Sequence, residues 1–166
     1  MKISSVLKNA VAAAVVCGSL FVAACATTGK VSNESNEPQY FSFVKGKVWQ
    51  LVKVVDPSGT VTFDSSKLDK TKFGDVYTMQ FNDSIASGKA APNRYSAPYA
   101  LGEGNAISFK QAASTLMFGI FTPDGLSETE FFSLLTDVSR WDLKDNIFSL
   151  HTSNGNVLIF NEFDYR

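Results

Sequence analysis

The chain has 166 residues, with 15 lysines and arginines against 16 aspartates and glutamates, so its formal net charge is only −1. That balance, with no basic cluster, excludes the electrostatic footprint of a nucleic-acid-binding domain. The length fits one domain, large enough to bury roughly 68–70% of its unfolded surface without disulfide or metal staples.

At the N-terminus, Lys2 and Lys8 precede or open an apolar run over 10–24 that ends in Ala23 and Ala24. A positive start, an apolar middle and a small-residue end describe a signal peptide over residues 1–24. The run is short of the about 20 residues that a membrane span needs. The tetrad Val22-Ala23-Ala24-Cys25 resembles the lipobox of bacterial lipoproteins. Cys17 is a poor rival, because the branched Val16 before it is too bulky for a pocket that takes Ala or Gly. The resemblance implies an acylated Cys25 carrying several palmitate-class chains, and so a membrane as the first partner. One chain, at about 0.8 kcal/mol per buried methylene, binds only marginally, whereas several hold firmly. Ala26 rather than Asp follows the cysteine, which by the common sorting rule favours the outer membrane of a bacterial envelope. Cys17 would leave with the peptide and Cys25 would become a thioether, so cysteine catalysis, disulfides and Cys-ligated metal fall together. Loss of Lys2 and Lys8 would bring the net charge to about −3. Residues 25–39 are small, polar and charged, too poor in apolar surface to fold, and read as a lipidated flexible tether. The domain proper is expected over 40–166.

Within that domain strands dominate. A valine-rich segment, 47–55, reads as a strand that stops at the turn Asp56-Pro57-Ser58-Gly59. Segment 76–81 alternates, with Tyr77, Met79 and Phe81 on one face and Thr78 and Gln80 on the other. Segments 105–109 and 114–118 are weaker strand candidates. Residues 88–104 and 119–125 read as irregular segments, long enough for a binding surface. One amphipathic helix is predicted over about 127–140: Ser127 and Glu130 form a capping box, and Phe131, Leu134, Leu135 and Val138 share a face. A meander follows, 141–144, 147–152 and 156–162. A two-residue turn at Asp145-Asn146 sets Leu143 opposite Phe148 and Trp141 opposite Leu150. A three-residue loop, Ser153 to Gly155 with Gly155 left-handed, then pairs Leu150 with Leu158 and Phe148 with Phe160. A one-residue slip would turn that apolar face outward.

Several of these residues together resemble the META domain family, which includes the heat-shock-associated HslJ-like proteins. Trp49-x-Leu51, Tyr77-x-x-x-Phe81-Asn82, Asn93-Arg94-Tyr95 and Thr115-Leu116-Met117 carry the likeness. Glu130-Phe131 and the closing hairpin with Gly155 complete it over roughly 43–163. The family's cysteine pair is absent, with Pro92 and Phe118 in those places. The resemblance implies a mainly β, α+β fold: an antiparallel sheet curled into a barrel, with one helix laid against it. It implies no catalytic residues.

Tests for chemistry point the same way. His151, the sole histidine, has no nucleophile elbow to serve and reads as a half-exposed strand residue. One histidine without thiols leaves only carboxylates for a metal, and no EF-hand loop occurs. Carboxylate pairs such as Asp142 with Asp145 or Asp83 with Glu103 would need a cleft for glycosidase-like work. The expectation is a non-enzymatic, lipid-anchored envelope protein without cofactor or metal, in a protein-interaction or stress-related accessory role. Asn93, Tyr95, Tyr99 and Phe121 mark the candidate surface. The alternative is a lipocalin-like module for a small apolar ligand, which an unfilled cavity beneath Tyr95 would favour.

Overall fold

The computed structural model describes residues 40–117, 119 and 122–164. The signal peptide, Cys25, the tether and Phe121 therefore lie outside the described residues.

Strand β1, Val48–Val55, lies at the centre of the sheet. Trp49 and Leu51 point inward, and so does Val54, an odd-to-even switch that a regular pleat forbids. A bulge between Leu51 and Lys53 supplies the extra residue. Asp56 then organises the turn, its carboxylate accepting from the backbone N–H groups of Ser58 and Thr60 at 2.9 Å each. Strand β2, Val61–Asp64, returns along the second half of β1. A short helix, α1, Lys70–Phe73, leads into β3, Thr78–Phe81, which pairs with the first half.

The segment 88–104, expected to be irregular, is instead mostly the arm of a hairpin. Strands β4, Ile85–Lys89, and β5, Arg94–Leu101, pair from Ile85↔Pro98 to Lys89↔Arg94 around a turn with a cis Ala91–Pro92 bond. Its small residues have structural reasons. A Cβ on Gly88 would lie 1.9 Å from the Thr78 carbonyl oxygen, so only glycine allows β3 and β4 to approach there. Pro98 lacks a donor, but its free side meets the gap between β6, Ile107–Phe109, and β7, Ala113–Ser114, which pair with different halves of β5. The strand expected over 114–118 shrinks to that two-residue β7, and Leu116 and Met117 leave the sheet.

Helix α2, Glu128–Thr136, carries the predicted capping box: Glu130 N–H donates to Ser127 Oγ at 3.3 Å, and Ser127 N–H donates to Glu130 Oε2 at 2.8 Å. It ends four residues before the predicted 140. Val138, expected to extend the helical face, starts strand β8, Val138–Lys144, because its pairing with Thr152 outweighs helical continuation. Strands β9, Ile147–Thr152, and β10, Val157–Glu162, complete the meander in the expected register, Leu143↔Phe148, Trp141↔Leu150, Leu150↔Leu158 and Phe148↔Phe160. Asp145 and Asn146 both take positive φ, 52° and 61°, as the tight turn demands, and Gly155 is left-handed at 91°.

The sheet runs β6-β5-β4-β3-β1-β10-β9-β8 and nearly closes into a barrel. Across the seam, the Trp141 backbone N–H donates to the Asn105 carbonyl at 2.9 Å and Ala106 bridges Arg140. Interlocked rings fill the interior. A 3-10 turn, Phe41–Phe43, plugs one end: Phe41 packs on Phe81, Tyr99 and Trp141, from three separate strands, at ring distances of 5.1–5.8 Å. At the opposite end Phe131 of α2 meets Tyr77 at 5.1 Å and Tyr95 at 5.6 Å. The fold is therefore mainly β, an antiparallel barrel with one substantial helix packed on it.

Candidate interaction surface

Asn93 closes the β4–β5 turn and is 93% shielded from solvent, so its amide must find protein partners. It finds several. Its Oδ1 accepts from the Met117 backbone N–H at 2.7 Å and from Thr115 Oγ1 at 2.8 Å. Its Nδ2 donates to Glu128 Oε1 at 2.9 Å, while its backbone N–H donates to Glu128 Oε2 at 3.1 Å. One side chain thus clamps the segment after β7 to the first turn of α2. Thr115 N–H, donating to the Arg94 carbonyl at 3.0 Å, pins the same segment to β5. With its backbone held, the segment directs Leu116 and Met117 outward, 93% and 62% exposed. Two large apolar side chains side by side in water, on a clamped backbone, form the most conspicuous surface feature of the described residues.

The other predicted site residues fall elsewhere. Tyr95 and Tyr99 are buried in the wall of the barrel, 4% and 8% exposed, with Tyr95 O–H donating to the Thr78 carbonyl at 2.9 Å and Tyr99 O–H to the Asn82 carbonyl at 2.6 Å. Burial pushes the Tyr95 phenol far above its ordinary value. Tyr77, which donates to the Leu126 carbonyl, is raised by burial first and then by Glu128 and Glu130. The space beneath Tyr95 is occupied by Phe131 and Phe132, with ring centroids at 5.6 and 5.5 Å. Asn93 is brought to Met117 and Glu128, whereas Tyr99 lies at the far end of β5, toward Phe41. Sequence reasoning missed Leu116 and Met117 as exposed residues, because Thr115-Leu116-Met117 reads as a strand. The signal that could have found them was the lack of a second face in that apolar run.

His151 lies on the outer face of β9, across from Arg140, and its Nε2 has no hydrogen-bond partner among the described residues. Desolvation, followed by the Arg140 charge, lowers its pKa, and Asp142 opposes the shift. Of the acids considered for carboxylate pairs, Asp83 is fully exposed on the β3–β4 turn, 3.8 Å from Lys45, and Asp145 sits in the β8–β9 turn. Among the described residues no three His, Cys, Asp or Glu side chains gather where a metal could sit. A shallow hollow of about 380 Å³ lies outside β3 and β4, where Lys89 and Asp75 pair at 2.6 Å. No helix among the described residues is long and apolar enough to cross a membrane.

This barrel, with its single helix and closing meander, coincides with a known domain. The META domain matches residues 42–164. The chain belongs to the META domain family. The META barrel is also similar to an NMR structure of a protein from Burkholderia xenovorans, with TM-score 0.60 and 26% identity, covering 75% of this chain and 86% of that one. A crystal structure of a DUF4847 family protein from Bacteroides vulgatus shares the fold, with TM-score 0.50 and 16% identity over 75% of this chain and 99% of that one. No curated protein matches the sequence.

Proposed function

We propose that this META-domain protein is a non-enzymatic, lipid-anchored component of a bacterial envelope that engages another envelope protein through the segment around Leu116 and Met117. The observation that carries the reading is the pairing of high exposure, 93% at Leu116, with a backbone fixed by Asn93. A fixed apolar segment gives up little conformational freedom on binding, which is the condition for a small contact to count. The anchor rests on the Val22–Cys25 lipobox, and Ala26 favours an outer-membrane location. The stress-related role follows the family likeness alone.

In-cell photo-crosslinking from position 116, with the Cys25→Ala chain as control, tests the reading. One dominant protein adduct, lost on Met117→Asp and reduced without the anchor, supports it. The same faint ladder from position 116 and from an outward residue such as Lys53 removes the protein-contact role.

A further inference from the structure

The barrel carries a second apolar patch, at the end opposite Leu116. The Phe41–Phe43 turn splits its residues by side: Phe41 and Val44 are fully buried, while Tyr40 and Phe43 are 65% and 60% exposed. Because Phe41 is wedged among Phe81, Tyr99 and Trp141, its exposed neighbours cannot swing inward. Val44 is fixed as well, its carbonyl accepting from Trp49 Nε1 at 2.9 Å. Lys45 reaches Asp83 in the β3–β4 turn at 3.8 Å, and Ile85, two residues further on, is 42% exposed. Lys47, paired with Glu162 at 2.6 Å, lies on the same rim.

This rim is where the chain enters the domain, and only residues 26–39 separate it from Cys25. At about 3.3–3.6 Å per residue those fourteen positions reach ~50 Å at full stretch, so a lipidated Cys25 holds the rim within that distance of a bilayer, nearer to the anchor along the chain than any other part of the barrel. Tyrosine, apolar along its ring and wet at its hydroxyl, and lysine favour the headgroup boundary, and a phenylalanine beside them adds apolar surface to bury there. We propose that the Tyr40–Phe43 rim rests on the phospholipid surface, with both rings in the headgroup layer, so that Leu116 and Met117 face away from the membrane. The inference rests on the anchoring part of the reading above and adds an orientation to it.

The test uses the full-length lipidated protein reconstituted into phosphatidylethanolamine–phosphatidylglycerol vesicles. Phe43→Cys and Leu116→Cys chains each carry an environment-sensitive fluorophore on the new thiol, since Cys25 is acylated. Flotation with the vesicles reports anchoring separately from the fluorescence. The expected result is co-flotation of both chains, with brominated lipid removing about half the emission at position 43 and little at 116. Co-flotation with equal access of aqueous iodide to both positions overturns the docked rim and leaves the anchor standing. Stronger lipid quenching at 116 reverses the orientation and overturns the proposal. Failure to float removes the anchor, and the proposal with it.

Discussion

A methyl group at position 88 would sit 1.9 Å from the Thr78 carbonyl oxygen, a distance that only backbone displacement can relieve. Gly88→Ala is therefore expected to cost about 3 kcal/mol in urea unfolding, at the upper end for overpacking. The same substitution at Gly104, where φ is positive but an added Cβ meets nothing within 4 Å among the described residues, is expected to cost less. His151 makes the second prediction at this scale. Its folded pKa lies below the unfolded value, because burial and Arg140 disfavour the cation. Between the two values the unfolded chain binds more protons, so the stability tied to neutral His151 is complete above about pH 6.5 and drains as pH falls through the folded pKa. Melting temperatures measured from pH 7.5 down to 5 should show this slope, and His151→Gln should flatten it. The hydrogen-bonded carboxylates Asp56, Asp64 and Asp69 are lowered as well, so their contribution disappears in a separate window, below about pH 4.

At the scale of elements, the helix start was legible and its end was not. Ser127 and Glu130 satisfy each other's backbone donors, a local chemistry that depends on four residues and little else. Ser127→Ala should lower stability by about 1 kcal/mol, read by thermal denaturation of the whole domain. The helix end depends instead on β9, sequence-distant from Asp137, whose pairing turns Val138 into a strand residue. The meander was readable because both turns announce themselves, Asp145-Asn146 by tolerating positive φ and Gly155 by requiring it. The β4–β5 hairpin stayed hidden behind alanine, glycine, serine and proline, residues that say loop in isolation. Their sizes answer to neighbours: Gly88 to the Thr78 carbonyl, Pro98 to the gap between β6 and β7. The site was half legible. Asn93 stood out in the sequence, but its partners Thr115, Met117 and Glu128 lie over twenty residues away and meet it only in the folded barrel.

For the molecule as a whole, Phe41 ties the chain's entry point to three strands of the barrel, β3, β5 and β8. Removing that ring leaves a cavity that no single strand can collapse into. Phe41→Ala should cost about 3–5 kcal/mol in calorimetric unfolding, against almost nothing for Phe43→Ala in the same turn. The contrast separates a residue that holds the barrel together from one that is free to meet a surface.

Strand β1 owes its longest pairing to β10, the last strand of the chain. Synthesis proceeds from the other end, so Trp49 and Leu51 emerge long before the residues that cover them. No partial barrel is available to a chain still being synthesised, because closure requires residues 157–162. Contacts between distant parts of the chain also make folding slow. The timing leaves the newly made chain dependent on protection until residues 157–162 arrive.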